Sequence, residues 1–357
     1  MDQQTMPSTG MTGGSVPAAK RGPSSLALAI NLAIIYVIWG STYFGIAIAI
    51  ETMPPFLMAS IRFAIAGLLL VTFDLLRHPE ARRLPTRRQV RDSVIVGALL
   101  LGIGNGFVTF GELTVPSGIA AILIAMMPLW FALLGWIYLR DKLPRIVVVA
   151  IVIGFAGTAL LVWPAGDGAN SFDPFGILIL LLAPLGWAHG SIYSVRRAKL
   201  PPSALTASGF QMLAGAGVTF IEALIAGEPS RFHPETFSFA SIAAVGYLIL
   251  FGSMLAFTTY GWLLKNAPLS LVGTYAYVNP VVAVALGTIF LAEPISLRTI
   301  IASAIILVAV AIIVTARGRL TAQATANADA REARDAARAA TDRSGLRTAS
   351  TPRAPSG

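Results

Sequence analysis

Residues 268 to 295, PLSLVGTYAYVNPVVAVALGTIFLAEPI, repeat the pattern of residues 116 to 143, PSGIAAILIAMMPLWFALLGWIYLRDKL, at a constant offset of 152. Pro116 falls on Pro268, Pro128 on Pro280, Leu134 on Leu286, Gly135 on Gly287, Ile137 on Ile289 and Leu139 on Leu291, with Asp141 opposite Glu293. Six identities in 28 positions carry little by themselves. Both prolines, however, keep their place inside hydrophobic runs, where each removes a helical backbone hydrogen bond, so the windows read as two copies of one broken helix. Duplicated membrane halves with broken helices are a sequence signature of transporters.

The rest of the chain suits a bilayer. Of its 357 residues 55% are hydrophobic and only 12% charged, against roughly 25% charged in an average soluble domain. Runs long enough to cross about 30 Å of hydrocarbon, at about 1.5 Å per helical residue, recur along it. They fall at 26 to 50, 55 to 76, 93 to 111, 116 to 139, 144 to 163, 175 to 195, 204 to 226, 237 to 263, 269 to 291 and 297 to 315. The fold class is therefore an all-α membrane protein of ten transmembrane helices.

A net charge of +9 raises the question of nucleic acid, and the placement of the basic residues answers it. They sit on alternate loops: Arg77, Arg82, Arg83, Arg87, Arg88 and Arg91 after the second span, and Arg140, Lys142 and Arg145 after the fourth. Arg196, Arg197 and Lys199 follow the sixth span and Lys265 the eighth, while the intervening loops hold only Arg231 and Arg298. Lys and Arg collect on the cytoplasmic side of membrane proteins, so both termini are expected in the cytoplasm and no nucleic-acid partner is expected.

Five spans precede residue 163 and five follow residue 175, and an odd number per copy sends the second copy in from the opposite side. Arg140-Asp141-Lys142 fits the cytoplasmic face, whereas its mate Ala292-Glu293-Pro294 has lost both positive charges. The expected organisation is a first repeat at 25–163 and a second, inverted, at 175–315, flanked by a disordered N-terminus at 1–24 and a disordered tail at 316–357, both polar and rich in small residues. Within the tail, residues 330 to 343 suggest a transient helix. There is no cysteine, and His78, His189 and His233 have no metal-ligand spacing, so no metal site and no cofactor are expected. No phosphate-binding G-x-x-x-x-G-K-[ST] run occurs, so the chain carries no ATPase of its own.

Polar and aromatic groups at membrane depth are the candidate site residues, because an unpaired polar group in hydrocarbon is costly. Pro128 and Pro280 lie near the middle of their spans, and Tyr275 and Asn279 share one helix face just before Pro280, with Tyr277 turned away. Met126, Met127 and Trp130 stand opposite, either as a soft apolar wall or as core filler. Trp39-Gly40-Ser41-Thr42-Tyr43 in the first span is echoed in the sixth by Trp187 and Gly190-Ser191-Ile192-Tyr193. His189 is either a pH-responsive group or a hydrogen-bonded packing residue. Arg62 lies about 12 Å inside the second span and calls for an acid, with Glu112 and Glu222 as candidates for a charged gate or a structural ion pair. Asn105, Thr109 and Glu112 form a polar stripe on the third span.

The segments IIYVIWGSTYFGI (34 to 46), ASIRFAIAGLLL (59 to 70), GNGFVTFGE (104 to 112), VPSGIAAILIAMMPLW (115 to 130) and GTYAYVNPVVAVALG (273 to 287) resemble the EamA family of the drug/metabolite transporter superfamily. The resemblance covers about residues 30 to 315. It implies ten helices in two inverted five-helix repeats, a central cavity lined by the first four helices of each half, and exporters of amino acids, metabolites or toxic organic compounds as relatives. By carry-over it marks Trp39, Ser41, Arg62, Asn105, Pro128, Trp187, Tyr275, Asn279 and Pro280 as cavity or gate residues.

The resulting expectation is an exporter of small organic solutes in a bacterial inner membrane, working by alternating access, with the lipid bilayer and the solute as partners. A monomer is compatible with this reading. The rivals are a channel or membrane receptor without alternating access, and an intramembrane enzyme, which would need a clustered acid, base or metal set where the spans hold dispersed single groups.

Overall fold

A computed structural model describes residues 24–77, 85–140, 144–162, 172–267 and 269–349, and the described residues are helical without a strand. Residues 1–23, Arg82, Arg83, Asp141, Lys142 and Pro268 lie outside them. In chain order the helices are α1 (Ser25–Ile50), α2 (Pro55–Arg77), α3 (Arg87–Gly111), α4 (Ser117–Tyr138), α5 (Arg145–Val162), α6 (Pro174–Arg196), α7 (Ala204–Ile225), α8 (Phe239–Asn266), α9 (Tyr275–Leu291) and α10 (Leu297–Ala349). Eight helices are long and apolar enough to cross a membrane, while α5 and α9 are apolar but shorter.

The helices begin where the sequence supplies an acceptor for the unpaired first amides. Ser24, Thr86, Asp173, Ser203 and Ser238 cap α1, α3, α6, α7 and α8. At Thr86 the capping is reciprocal, with Gln89 Oε1 accepting from the Thr86 amide at 2.8 Å. The Asp173 carboxylate is held below its usual range, first by the Gly176 amide and further by the Phe175 amide and the Thr114 hydroxyl.

Two backbone irregularities recur in both halves, the first at the same offset of 152 that relates the two sequence windows and the second within about three residues of it. Arg140 and Ala292 are the non-glycine residues with positive φ among those described, both at 53°. Each ends its helix with its amide bonded to a glycine carbonyl, Gly135 for one and Gly287 for the other. A π-helical stretch interrupts α3 at Ala98–Gly106 and another interrupts α8 at Leu248–Leu255. The helix break expected at each repeated proline lies elsewhere. In α4 the chain turns at Ala125 and Met126, and Pro128 follows in the first turn, where its missing amide costs least. Pro280 sits inside α9, and the turn lies upstream at Gly273 and Thr274, between the short helix Leu269–Val272 and α9.

Antiparallel α2 and α7 are joined along their length. At one end Glu228, in the turn after α7, accepts from the amides of Phe56 at 3.2 Å and Leu57 at 2.8 Å. At the other, Asp74 accepts from the Thr206 hydroxyl. Between them a Cβ on Gly67 would stand 2.9 Å from the Gly209 carbonyl and a Cβ on Gly209 would stand 2.9 Å from that of Gly67, so both glycines permit close backbone approach. Gly227, at a φ of 67°, provides the left-handed turn that aims Glu228 back. Burial raises the Glu228 carboxyl above its usual range, and the two amides act against that rise.

On the far side α5 packs on α10. The helix of α10 runs past its apolar part to Ala349, through residues expected to be irregular. Alanine and arginine are strong helix formers, and the tail is rich in both, so propensity prolongs the helix where polarity suggested disorder. Replacing Glu228 with Ala leaves two buried amides unsatisfied. The variant is expected to lose about 1–3 kcal/mol and to melt at lower temperature in detergent than a Glu235→Ala control on the exposed turn.

Candidate functional site

Arg62 is 2% exposed in the middle of α2. Its Nε donates to Ser253 Oγ at 2.8 Å and its Nη1 to Asn105 Oδ1 at 3.4 Å. The guanidinium also lies 5.0 Å from the centroid of the Phe63 ring. Asn105 belongs to the π-helical stretch of α3 and Ser253 to that of α8, so the two interruptions converge on one cation. The ion pair expected for Arg62 does not form: among the described residues it has no carboxylate at salt-bridge distance. Glu112 stands two turns beyond Asn105, about 10 Å along the axis of α3. Glu222 lies on another side of α3, where a Cβ on Gly106 would come 2.7 Å from its Oε2.

Beside Arg62 is a cavity of about 60 Å³. Trp39, Thr42, Tyr43 and Ile46 face it from α1, and Gly104, Asn105 and Val108 from α3. Ile124 and Met127 contribute from α4, Ala183, Pro184 and Trp187 from α6, and Tyr275 and Asn279 from α9. Trp39 is the hub of the aromatic wall. Its ring centroid is 5.6 Å from that of Trp187 at 89°, 5.3 Å from that of Tyr275 at 80°, and 4.9 Å from that of Tyr260 at 50°. Edge-to-face pairs of this kind are favourable beyond the area they bury. The Tyr275 hydroxyl donates to Met127 Sδ at 2.8 Å. The Asn279 amide, oriented to suit its surroundings, donates to the carbonyls of Tyr275 and Tyr36 at 3.2 Å each, which ties α9 to α1.

Other sequence candidates are off this wall. Ser41 bonds to the Tyr247 hydroxyl at 2.5 Å and to the Ile38 carbonyl at 2.8 Å. Thr109 donates back to the Asn105 carbonyl at 3.0 Å. Met126 receives the Thr158 hydroxyl of α5, because the turn at Ala125 and Met126 points neighbouring side chains in different directions. Trp130 packs edge-on against Phe155 with centroids 6.1 Å apart. His189 is engaged by the Tyr138 hydroxyl at 3.1 Å and the Leu185 carbonyl at 2.9 Å. Pro128, Pro280, Glu112 and Glu222 shape or flank the region without lining the cavity.

Sequence reasoning passed over Ser253, Tyr260 and Pro184. Ser253 gave no signal beyond one hydroxyl in an apolar run, since nothing in composition marks a π-helical stretch. Pro184 was findable as a proline inside the run LLLAPLGW. Removing the Ser253 hydroxyl strands a charged buried donor, whereas removing that of Ser41 leaves a neutral phenol. Ser253→Ala is therefore expected to lower the melting temperature in detergent more than Ser41→Ala, and equal losses would contradict this account of Arg62.

The model of the EamA-like transporter family matches residues 27–163 and 174–315. The chain is 42% identical over 256 residues to the uncharacterized inner membrane transporter YedA of Escherichia coli (strain K12), covering 71% of this chain and 79% of that one. It is 28% identical over 263 residues to protein PecM of Dickeya dadantii (strain 3937), covering 72% and 82%. A solved crystal structure superposes with a TM-score of 0.59 at 22% identity, over 83% of this chain and 99% of the other, a likeness of fold alone.

Proposed function

The chain belongs to the EamA-like transporter family, and we propose that it exports small organic solutes across the inner membrane by alternating access through the cavity beside Arg62. Its relatives are named as membrane transporters rather than enzymes, and it is a multi-pass inner-membrane protein. The observation that carries the reading is the joining of aromatic rings from α1, α6 and α9 with a buried guanidinium that, among the described residues, is bonded to the neutral Ser253 and Asn105. Such a wall suits amphipathic compounds, and aromatic or apolar amino acids are the first class to try. The rings offer apolar area, and Arg62 and Asn279 offer polar ends to orient it.

A volume of about 60 Å³ is well below the roughly 300–1,000 Å³ of sites for drug-sized ligands. Loading therefore requires the helices to part. The turns in and before α4 and α9, and the π-helical stretches of α3 and α8, are where a helix bends at least cost. We infer further that all ten helices cross the bilayer as two repeats, 25–163 and 175–315, of opposite orientation, with both termini in the cytoplasm. The left-handed caps at Arg140 and Ala292 and the paired π-helical stretches support two copies of one design. Five helices per copy then invert the second, and the alternating basic loops support the sidedness.

Proteoliposomes loaded with unlabelled L-phenylalanine are expected to take up external labelled L-phenylalanine faster than empty ones. Absence of this trans-stimulation favours a channel or receptor for that solute. Asn279→Ala and Trp39→Ala, checked for retained folding by gel filtration, should each lower the exchange by about tenfold, the effect of a 1.4 kcal/mol loss. Reporter fusions after Gly168 and Arg197 should read outside and inside, and the same side for both would sink the ten-helix arrangement.

A further inference from the structure

Glu112 ends α3, one turn beyond Val108 of the cavity wall, and is 8% exposed. Neither of its carboxyl oxygens has a hydrogen-bond partner, and it has no ion-pair partner among the described residues. Among the other buried or helix-end acids, Glu222 leaves one oxygen, Oε2, without a partner, and the rest are provided for. Glu293 accepts from the amide and hydroxyl of Ser117 at 2.8 and 2.7 Å and from the Gly118 amide at 3.0 Å. Glu228 has the Phe56 and Leu57 amides, and Asp92 has the Lys199 amide at 2.8 Å and the Tyr193 hydroxyl at 3.0 Å.

An ionised carboxylate without donors in such a place is strongly disfavoured, and the group escapes by holding a proton. Tyr43 from α1, Arg62 from α2 and Glu293 from the turn after α9 are near enough to interact with it electrostatically. Asp173, at the head of α6, is taken up by Thr114 and its own helix amides, and Glu222 of α7 lies toward Gly106. Arg62 is thus the one cation facing Glu112 among the described residues, and Ser253 and Asn105 hold it elsewhere.

Glu112 does not line the cavity in this conformation. A proton has a short route, because the next two residues, Leu113 and Thr114, are exposed. We propose that Glu112 is a proton-binding site that couples the transport cycle to the proton gradient, with Arg62 as the group whose movement unloads it. This rests on the transport reading above. While Arg62 is bonded to Ser253 and Asn105 the carboxyl keeps its proton. When the helices shift and Arg62 pairs with Glu112, the carboxylate form is favoured and the proton passes to water on the side then open. Entry of one proton from outside and its release inside would accompany each solute leaving.

Two measurements test this separately from the transport reading. Infrared difference spectra of the purified protein at neutral pH should show a protonated carboxylic acid band that Glu112→Gln removes and Asp173→Asn, at a carboxylate held ionised by its helix amides, does not. No band lost with Glu112→Gln overturns the proposal whatever the solute. In proteoliposomes with the membrane potential clamped at zero, an imposed gradient of one pH unit should support about tenfold accumulation of labelled L-phenylalanine in one-for-one exchange with protons. Glu112→Gln, whose neutral amide stands in for the protonated acid, should lose that accumulation while still exchanging labelled for unlabelled L-phenylalanine. Undiminished gradient-driven accumulation in Glu112→Gln overturns the coupling role. Failure of the wild type to exchange L-phenylalanine counts against the solute reading instead, and the infrared result still decides whether Glu112 holds the proton.

Discussion

A peptide group in the hydrocarbon core has no water to bond with, so every backbone amide and carbonyl there has to be satisfied by protein. Helices meet that demand by themselves, and any departure from the helix has to be covered by neighbours. In this chain the departures gather in one region. The π-helical stretches of α3 and α8 supply Asn105 and Ser253 to Arg62, and the turns at Ala125–Met126 and Gly273–Thr274 stand beside Met127 and Tyr275. Glycines allow the cover to come close: a Cβ on Gly104 would meet the Trp187 ring at 3.0 Å, and one on Gly102 would meet Val218 at 2.5 Å. The irregular backbone and the cavity wall are therefore parts of one solution to the same constraint.

Arg62 imposes the second demand, since a guanidinium at membrane depth is expensive unless protein groups satisfy it. Its height is set by α2, which Glu228 and Asp74 fasten to α7 at both ends and Gly67 and Gly209 draw close in the middle. With α2 fixed, α8 has to bring Ser253 to the guanidinium. Gly252 makes room for that approach, because a Cβ there would stand 2.9 Å from Thr42 Cγ2 and 3.1 Å from Arg62 Nη2. Stability of the α2–α7 pair and chemistry of the cavity are linked through this one side chain.

Helix positions could be read from the sequence because hydrophobic run length is a long-range average that single residues barely alter. The pairing of Tyr275 with Asn279 on one face was readable for a related reason, as α9 is unbroken between them. The facing of Met126 was not, because the turn at Ala125 and Met126 resets the helical phase and Met127 becomes the residue on the wall. The carboxylate expected for Arg62 failed similarly. Charge counting along α3 finds Glu112 on the stripe of Asn105, but two turns of axial rise separate them, and neutral groups from two other positions reach the guanidinium first. The tail beyond Ala316 shows the limit of composition: it signals solubility, whereas alanine content governs helix formation there.

The features that both halves share and the features that only one half carries divide by role. Left-handed caps and π-helical stretches occur in both halves, and both concern where a helix ends or bends. Side chains with specific chemistry occur in one. Asn279 has Met127 at its mate position, Asn105 has Phe257, and α7 carries no Lys or Arg to answer Arg62. In the proposed reading, a pair of copies with the same bending points gives two conformations of similar cost, which alternation between two sides of a membrane needs. Placing the cation and the amides in single copies leaves that near-balance of the backbone intact. It also makes the cavity polar on one side, which in the proposed reading gives an amphipathic solute one preferred orientation.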